Sequence, residues 1–235
     1  MPPRAASKRV SGFRFGVSRL SYFLLLTSYS LLLTSCSSPA STQPSFKIGL
    51  VAPFEGHSRQ VGYDVIYAAR LAIRQANLAE GVGGYRVELI ALDDGGEPEA
   101  AAQQASMLAL DPAVMGVIGH FGLETSDAAA PIYAREGLPV LILADLPAAE
   151  LESAVCLDPA AARLAGEFAA YAEQFNADYA TVSGGVPPGP YAWVAYRAVR
   201  MLLEAARLDI EANSAPFLNG GLSRAGVDKQ LCSQR

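Results

Sequence analysis

From Phe46 onward the chain alternates short apolar runs with helical stripes. FKIGLVA (46–52), YRVELIAL (85–92), VMGVIG (114–119) and LPVLILA (138–144) are almost continuously apolar rather than alternating, the pattern of strands covered on both faces. Between them the spacing turns helical. Residues Tyr63 to Asn77 put Val65, Ala69, Ala72, Ile73 and Ala76 on one stripe. Glu97 to Leu110 opens with Glu-Pro-Glu, which suits a first helical turn, and stops before Asp111-Pro112, where the residue ahead of a proline resists helix. Thr125 to Glu136 follows, with Thr125 or Ser126 as its N-cap. The order β-α-β-α-β-α-β predicts an α/β fold with a doubly wound parallel sheet.

After Asp145 the strand signal fades. Ala161 to Phe175 predicts an amphipathic helix with Leu164, Phe168, Tyr171 and Phe175 inward. Pro187 to Pro190 reads as a turn. A long helix to about Arg207 follows, with the stripe Val194, Ala198, Met201, Leu202 and Ala205. Residues 209–235 offer no clear element.

The first 45 residues obey another pattern. Arg4, Lys8, Arg9, Arg14 and Arg19, with no acid among them, precede an apolar run from Leu20 to Leu33. That run is short and serine-laced for a membrane span but suits a secretory leader. It ends in Leu33-Thr34-Ser35-Cys36, which resembles the bacterial lipobox, where the thiol after the cut carries a lipid. The alternatives are a single-pass anchor, or an ordinary signal cleaved near Ser38. The layout expected is a leader over 1–35, a flexible Ser/Pro tether over 36–45, a lobe over 46–208 and an irregular tail over 209–235.

Charge and chemistry narrow the function. The chain carries 18 basic and 23 acidic residues, and the leader holds five of the basic ones and no acid. The body from Cys36 is therefore acidic, at net −10, which excludes nucleic acid as a partner. With Cys36 lipidated, Cys156 and Cys232 remain as a possible disulfide in an oxidising compartment, or as two free thiols. Neither phosphate-cradling glycine motif nor nucleophile elbow occurs. The two histidines, His57 and His120, lack metal-ligand spacing and read as polar loop residues. Asp93-Asp94 reads as a pair of acids solvated at a strand end or capping the next helix. No catalytic set assembles, so no cofactor, metal or enzymatic activity is expected.

Three segments carry a resemblance. IGLVAPFEG…VGYDVIYAARLAIRQAN, GGYRVELIALDDGGEPEAAAQQA and VMGVIGHFGLETSDAAAPIYAREGLPVLI resemble the first lobe of type I periplasmic binding proteins, in the leucine-binding, branched-chain amino-acid branch that feeds ABC importers. GEFAAYAEQF…PPGPYAWVAYRAVRMLLEAA resembles a late segment of that family that returns to the same lobe. Members of the family clamp ligand between two lobes. Here no further β-α alternation follows residue 145, so the second lobe is expected to be largely missing.

The resemblance implies a site at the strand ends. Hydroxyls and backbone N–H groups after the third and fourth strands hold a ligand carboxylate in that family. They map onto Leu123, Thr125 and Ser126, and onto Ala144 and Leu146, with Phe54 and His57 standing in for an aromatic of the first loop. Glu124 and Asp145 would repel a carboxylate there. Gly96 and Gly122 stand where some members carry a bridging disulfide. The function this implies is a lipid-anchored, extracytoplasmic solute-binding homologue. Its partners would be a small amino acid or related solute, an ABC permease and the membrane. The alternative is a single-lobe module that binds a protein partner and no small molecule.

Overall fold

The computed structural model describes residues 43–144, 168–213 and 222–233. Strands β1 (Ser45–Ala52), β2 (Arg86–Asp93), β3 (Val114–Ile118) and β4 (Val140–Leu141) form one parallel sheet in the order β2-β1-β3-β4. Helices α1 (Arg59–Leu78), α2 (Pro98–Leu110) and α3 (Leu123–Arg135) connect them. Beyond the sheet come α4 (Phe168–Ser183), α5 (Ala192–Ala212) and α6 (Arg224–Ser233).

The period-2 alternation of β1 divides the interior in two. Phe46, Ile48, Leu50 and Ala52 face a cluster with Val65, Ala69 and Ala72 of α1 and Ala198, Val199 and Leu202 of α5. Val51 points the other way, into Leu108 of α2, Ala129 and Tyr133 of α3, and Val117 and Val140. Both faces of β1 and β3 are thus dry, as the unbroken apolar runs predict. β2 is an edge strand, and its Arg86, Glu88 and Ala91 remain exposed.

The late helices pack on the same lobe, and α5 lies directly on β3. A Cβ placed on Gly116 would stand 2.7 Å from a methyl of Leu202, so the glycine lets the helix approach this closely without moving that side chain. Helix α4 joins α1 and α5 through aromatic edges. Phe175 meets Trp193 with centroids 5.0 Å apart, and the Tyr179 hydroxyl donates to the Asp64 carbonyl at 3.1 Å.

Several boundaries differ from the sequence reading. α1 begins at Arg59, one turn early, and α3 begins at Leu123 with Gly122 as N-cap. Thr125 and Ser126 are not caps, because both hydroxyls donate backward to the Gly122 carbonyl, at 3.0 and 2.6 Å. β4 shrinks to two residues, although Ile142 and Leu143 stay buried. α4 runs on to Ser183, with Phe175, Tyr179 and Ser183 inward, while Tyr171, expected inside, is 58% exposed and stacks on Trp193.

The stretch 209–235, expected to be irregular, completes α5 and holds α6. α6 escapes a periodicity reading because, among its described side chains, the buried apolar ones are Val227 and Leu231. Polar tethers hold it instead. The Arg224 guanidinium donates to the carbonyls of Val114, Ala109 and Asp111 at 2.9, 3.1 and 2.6 Å. Asp209 accepts from the Ser223 N–H at 3.0 Å. The leader and Cys36, the tether up to residue 42, Asp145, Leu146, Cys156 and the first half of the expected 161–175 helix lie outside the described residues, as does the side chain of Cys232.

Candidate functional site

In an open parallel sheet the crevice for ligands lies beyond the carboxyl ends of the strands, where the winding reverses. With β1 between β2 and β3, that point falls between the loop 53–58 and the loop 119–122.

The first loop is tied down by an acid at the end of β2. One oxygen of Asp93 accepts the N–H groups of Phe54 at 2.7 Å, Glu55 at 3.4 Å and Gly95 at 2.9 Å. Phe54 is half-buried, and its ring sits over Gly62 at the start of α1. Val61 packs partly buried against the core. His57 is exposed.

The second loop is tied more deeply. His120 is fully buried, with Nδ1 2.7 Å from Asp94 Oδ2 and Nε2 3.1 Å from the Tyr133 hydroxyl. The other Asp94 oxygen accepts the Gly96 N–H at 3.0 Å. Burial, and the nearby Asp94 carboxylate, push the Tyr133 phenol far above its ordinary range. Of the two acids expected to be solvated at the strand end or to cap the next helix, Asp93 is half-exposed but Asp94 is only 1% exposed, and His120 lies in a loop as expected yet is fully buried. The physical reason is pairing: each polar atom removed from water finds a partner, so the group can be carried inward with the apolar strand end. Only the full satisfaction of this trio in three dimensions reveals it. The one sequence signal was a histidine directly after the buried VMGVIG run.

The residues expected to bind a carboxylate differ in their surroundings. Thr125 and Ser126 are buried and spend their hydroxyl protons on Gly122. Leu123 is 44% exposed and heads the first turn of α3, beside the exposed Glu124. The N–H groups of such a turn have no intrahelical acceptors and favour anions. Glu124 already supplies a negative charge there. Ala144 is half-buried just past β4. The structure thus puts Phe54 on the first loop and Leu123 at the start of α3, leaves His57 in solvent and turns the two hydroxyls onto Gly122.

Two cavities among the described residues lie elsewhere. One of about 440 Å³ sits behind the proline turn, lined by Phe175, Pro187, Pro188, Pro190, Trp193 and Val194. Another, of about 280 Å³, lies beside Tyr171, Gln174 and Trp193. Among the described residues no cluster of His, Cys, Asp and Glu is arranged to hold a metal ion. Among them, too, no helix is long and apolar enough to cross a membrane.

A family model described as periplasmic binding protein matches residues 45–173. A leucine-, isoleucine-, valine-, threonine- and alanine-binding protein of Pseudomonas aeruginosa is 30% identical over 109 residues, covering 46% of this chain and 29% of that protein. A Leu/Ile/Val-binding protein homolog of Brucella abortus is 30% identical over 91 residues, covering 39% and 24%. The matching segment therefore spans only about a quarter of the length of these curated relatives. Among solved structures, the branched-chain amino-acid transporter substrate-binding protein LivJ of Streptococcus pneumoniae with isoleucine aligns at TM-score 0.64 and 14% identity, over 82% of this chain and 89% of that one. An ABC transporter substrate-binding protein of Desulfitobacterium hafniense with leucine aligns at 0.62 and 15%, over 81% and 89%. At these identities the likeness establishes the fold.

Proposed function

Because the chain belongs to the periplasmic binding protein family, a family of solute carriers and not of enzymes, we propose that it is an extracytoplasmic homologue of amino-acid-binding components. It would be held at the membrane by a lipid on Cys36 and serve beside an ABC importer. Its described lobe would hold small solutes only weakly by itself.

The observation that carries the second half is the state of the hydroxyls at the switch point. A carboxylate placed at the start of α3 meets Leu123 and Glu124, while the protons of Thr125 and Ser126 are committed to Gly122. A ligand clamped by two lobes loses about half its contacts when one lobe acts alone, and most of the cost of immobilising it stays. Losing about 4 kcal/mol weakens binding roughly a thousandfold. Binding of leucine or a related amino acid no tighter than about millimolar is expected.

Two measurements test the reading. Metabolic labelling with palmitate should mark the wild-type chain and not Cys36→Ser, and an intact, unmodified Cys36 in membrane-purified protein would refute the anchor. Calorimetry against an amino-acid panel should give at most millimolar binding. Micromolar binding by the monomer would show that this lobe builds a complete pocket alone.

A further inference from the structure

We propose that the end of the lobe nearest its tether is a membrane-docking surface, where Arg70, Arg74 and Arg86 engage the phosphate headgroups of an anionic lipid leaflet. The proposal rests on the lipid-anchored reading of Cys36, which sets the lobe close to a bilayer.

The three arginines come from two stretches of chain and meet in one groove. Arg70 and Arg74 are one turn apart on α1, and Arg86 opens the edge strand β2. They line a single open depression of about 680 Å³ with Ile73, Leu78 and Glu88. All three are exposed, and among the described residues no ion pair engages them. Glu88 is the one acid in the lining. Guanidinium groups are weakly hydrated and match phosphate with paired donors, so a row of them suits headgroups better than lysine would. In their midst Leu78 is 76% exposed at the end of α1. An exposed leucine flanked by arginines is the composition of a surface that inserts shallowly at a lipid interface.

Location supplies the second argument. The Arg86 N–H donates to the Pro44 carbonyl at 2.8 Å, and Ser45 is its partner across the ladder. The Gln43 side chain donates to the carbonyls of Glu80 and Gly84 in the turn beside it. The groove therefore begins where the chain arrives from Cys36, seven residues upstream of Gln43. Fully extended, those residues reach about 25 Å. A lipid on Cys36 thus keeps this end within a few Debye lengths of the headgroups. The remainder of the body is acidic and is repelled by an anionic leaflet, so this end is the one turned toward it. Each arginine near such a surface strengthens binding about fivefold, and three together on the order of a hundredfold.

The test uses residues 43–235, which form a compact unit of their own. Sedimentation with vesicles at low ionic strength should show preference for phosphatidylglycerol-containing over pure phosphatidylcholine vesicles. R70Q/R74Q/R86Q should lose about a hundredfold in partitioning without a change in melting temperature, since all three side chains are exposed. R135Q, at the far end of α3, should lose little. Equal partitioning into both vesicle types, an unaffected triple variant, or the same loss in R135Q would overturn the proposal. So would a triple variant that keeps its vesicle binding but loses a protein partner. Palmitate labelling of the full chain is read separately. An unlabelled Cys36 beside intact vesicle preference overturns the anchor, whereas a labelled Cys36 beside absent preference overturns the docking surface.

Discussion

Replacing His120 by alanine should expose how much of this lobe depends on one buried polar trio. The ring is wholly inside, and its two nitrogens face Asp94 Oδ2 at 2.7 Å and the Tyr133 hydroxyl at 3.1 Å. Truncation leaves Asp94 Oδ2 and the phenol without those partners, while the Gly96 N–H still serves the other carboxylate oxygen. Breaking a buried pair from one side costs about 3–5 kcal/mol, because the orphaned group keeps its desolvation penalty. Domains of this kind have about 5–15 kcal/mol in total, so the loss should be a large share of that. Urea unfolding, followed by circular dichroism, should show a lower midpoint at unchanged slope. Tyr133→Phe removes one bond and should cost about 1–2 kcal/mol. Asp94→Ala combined with His120→Ala should fall short of the sum of the singles by about 0.5–3 kcal/mol, the signature of shared partners. A His120→Ala loss under about 1 kcal/mol, or strict additivity in the double variant, would refute the claim that the trio ties the ends of β2 and β3 together.

Three further outcomes are expected. Leu202→Ala should cost about 2–5 kcal/mol in thermal or urea unfolding, because the side chain is buried against Gly116, while the half-buried Met201→Ala should cost less. Arg224→Ala should release α6 at a cost of about 2–4 kcal/mol, and Arg224→Lys should not rescue it, since an ammonium cannot reach three carbonyls in fork geometry. The Lys47–Asp111 bond holds the Asp111 carboxyl below its usual range and the Lys47 ammonium above its own. The pair's stabilisation is therefore present at neutral pH. It should fade as pH falls through the depressed carboxylate range, and again as pH rises through the raised lysine range. Melting temperatures of wild type and Lys47→Met should converge at both extremes, and a constant gap across pH would contradict the assignment.

The sequence by itself determined the β-α alternation along the chain, the parallel sheet and the family. Those features follow from local apolar runs such as FKIGLVA and VMGVIG, whose residues carry the same message wherever they sit. It also showed the stripe Val194, Ala198, Met201, Leu202 and Ala205 along α5, of which Ala198, Leu202 and Ala205 are buried while Val194 and Met201 are half-buried, because a helix of that length repeats its pattern often enough to be read. Tertiary structure decided the rest. Among its described side chains α6 has two buried apolar residues, and it is held by Arg224 on carbonyls more than a hundred positions away, a contact no local window contains. Thr125 and Ser126 look like ligand hydroxyls in one dimension. Starting α3 at Leu123 turns both hydroxyls onto the Gly122 carbonyl. Asp94 and His120 read as polar loop residues until the sheet brings the ends of β2 and β3 together. There the cost of burying each is met only by the other and by Tyr133. Patterns of apolar residues are written locally. The fate of a polar side chain depends on which partner the fold delivers to it, and that is known only once the chain is folded.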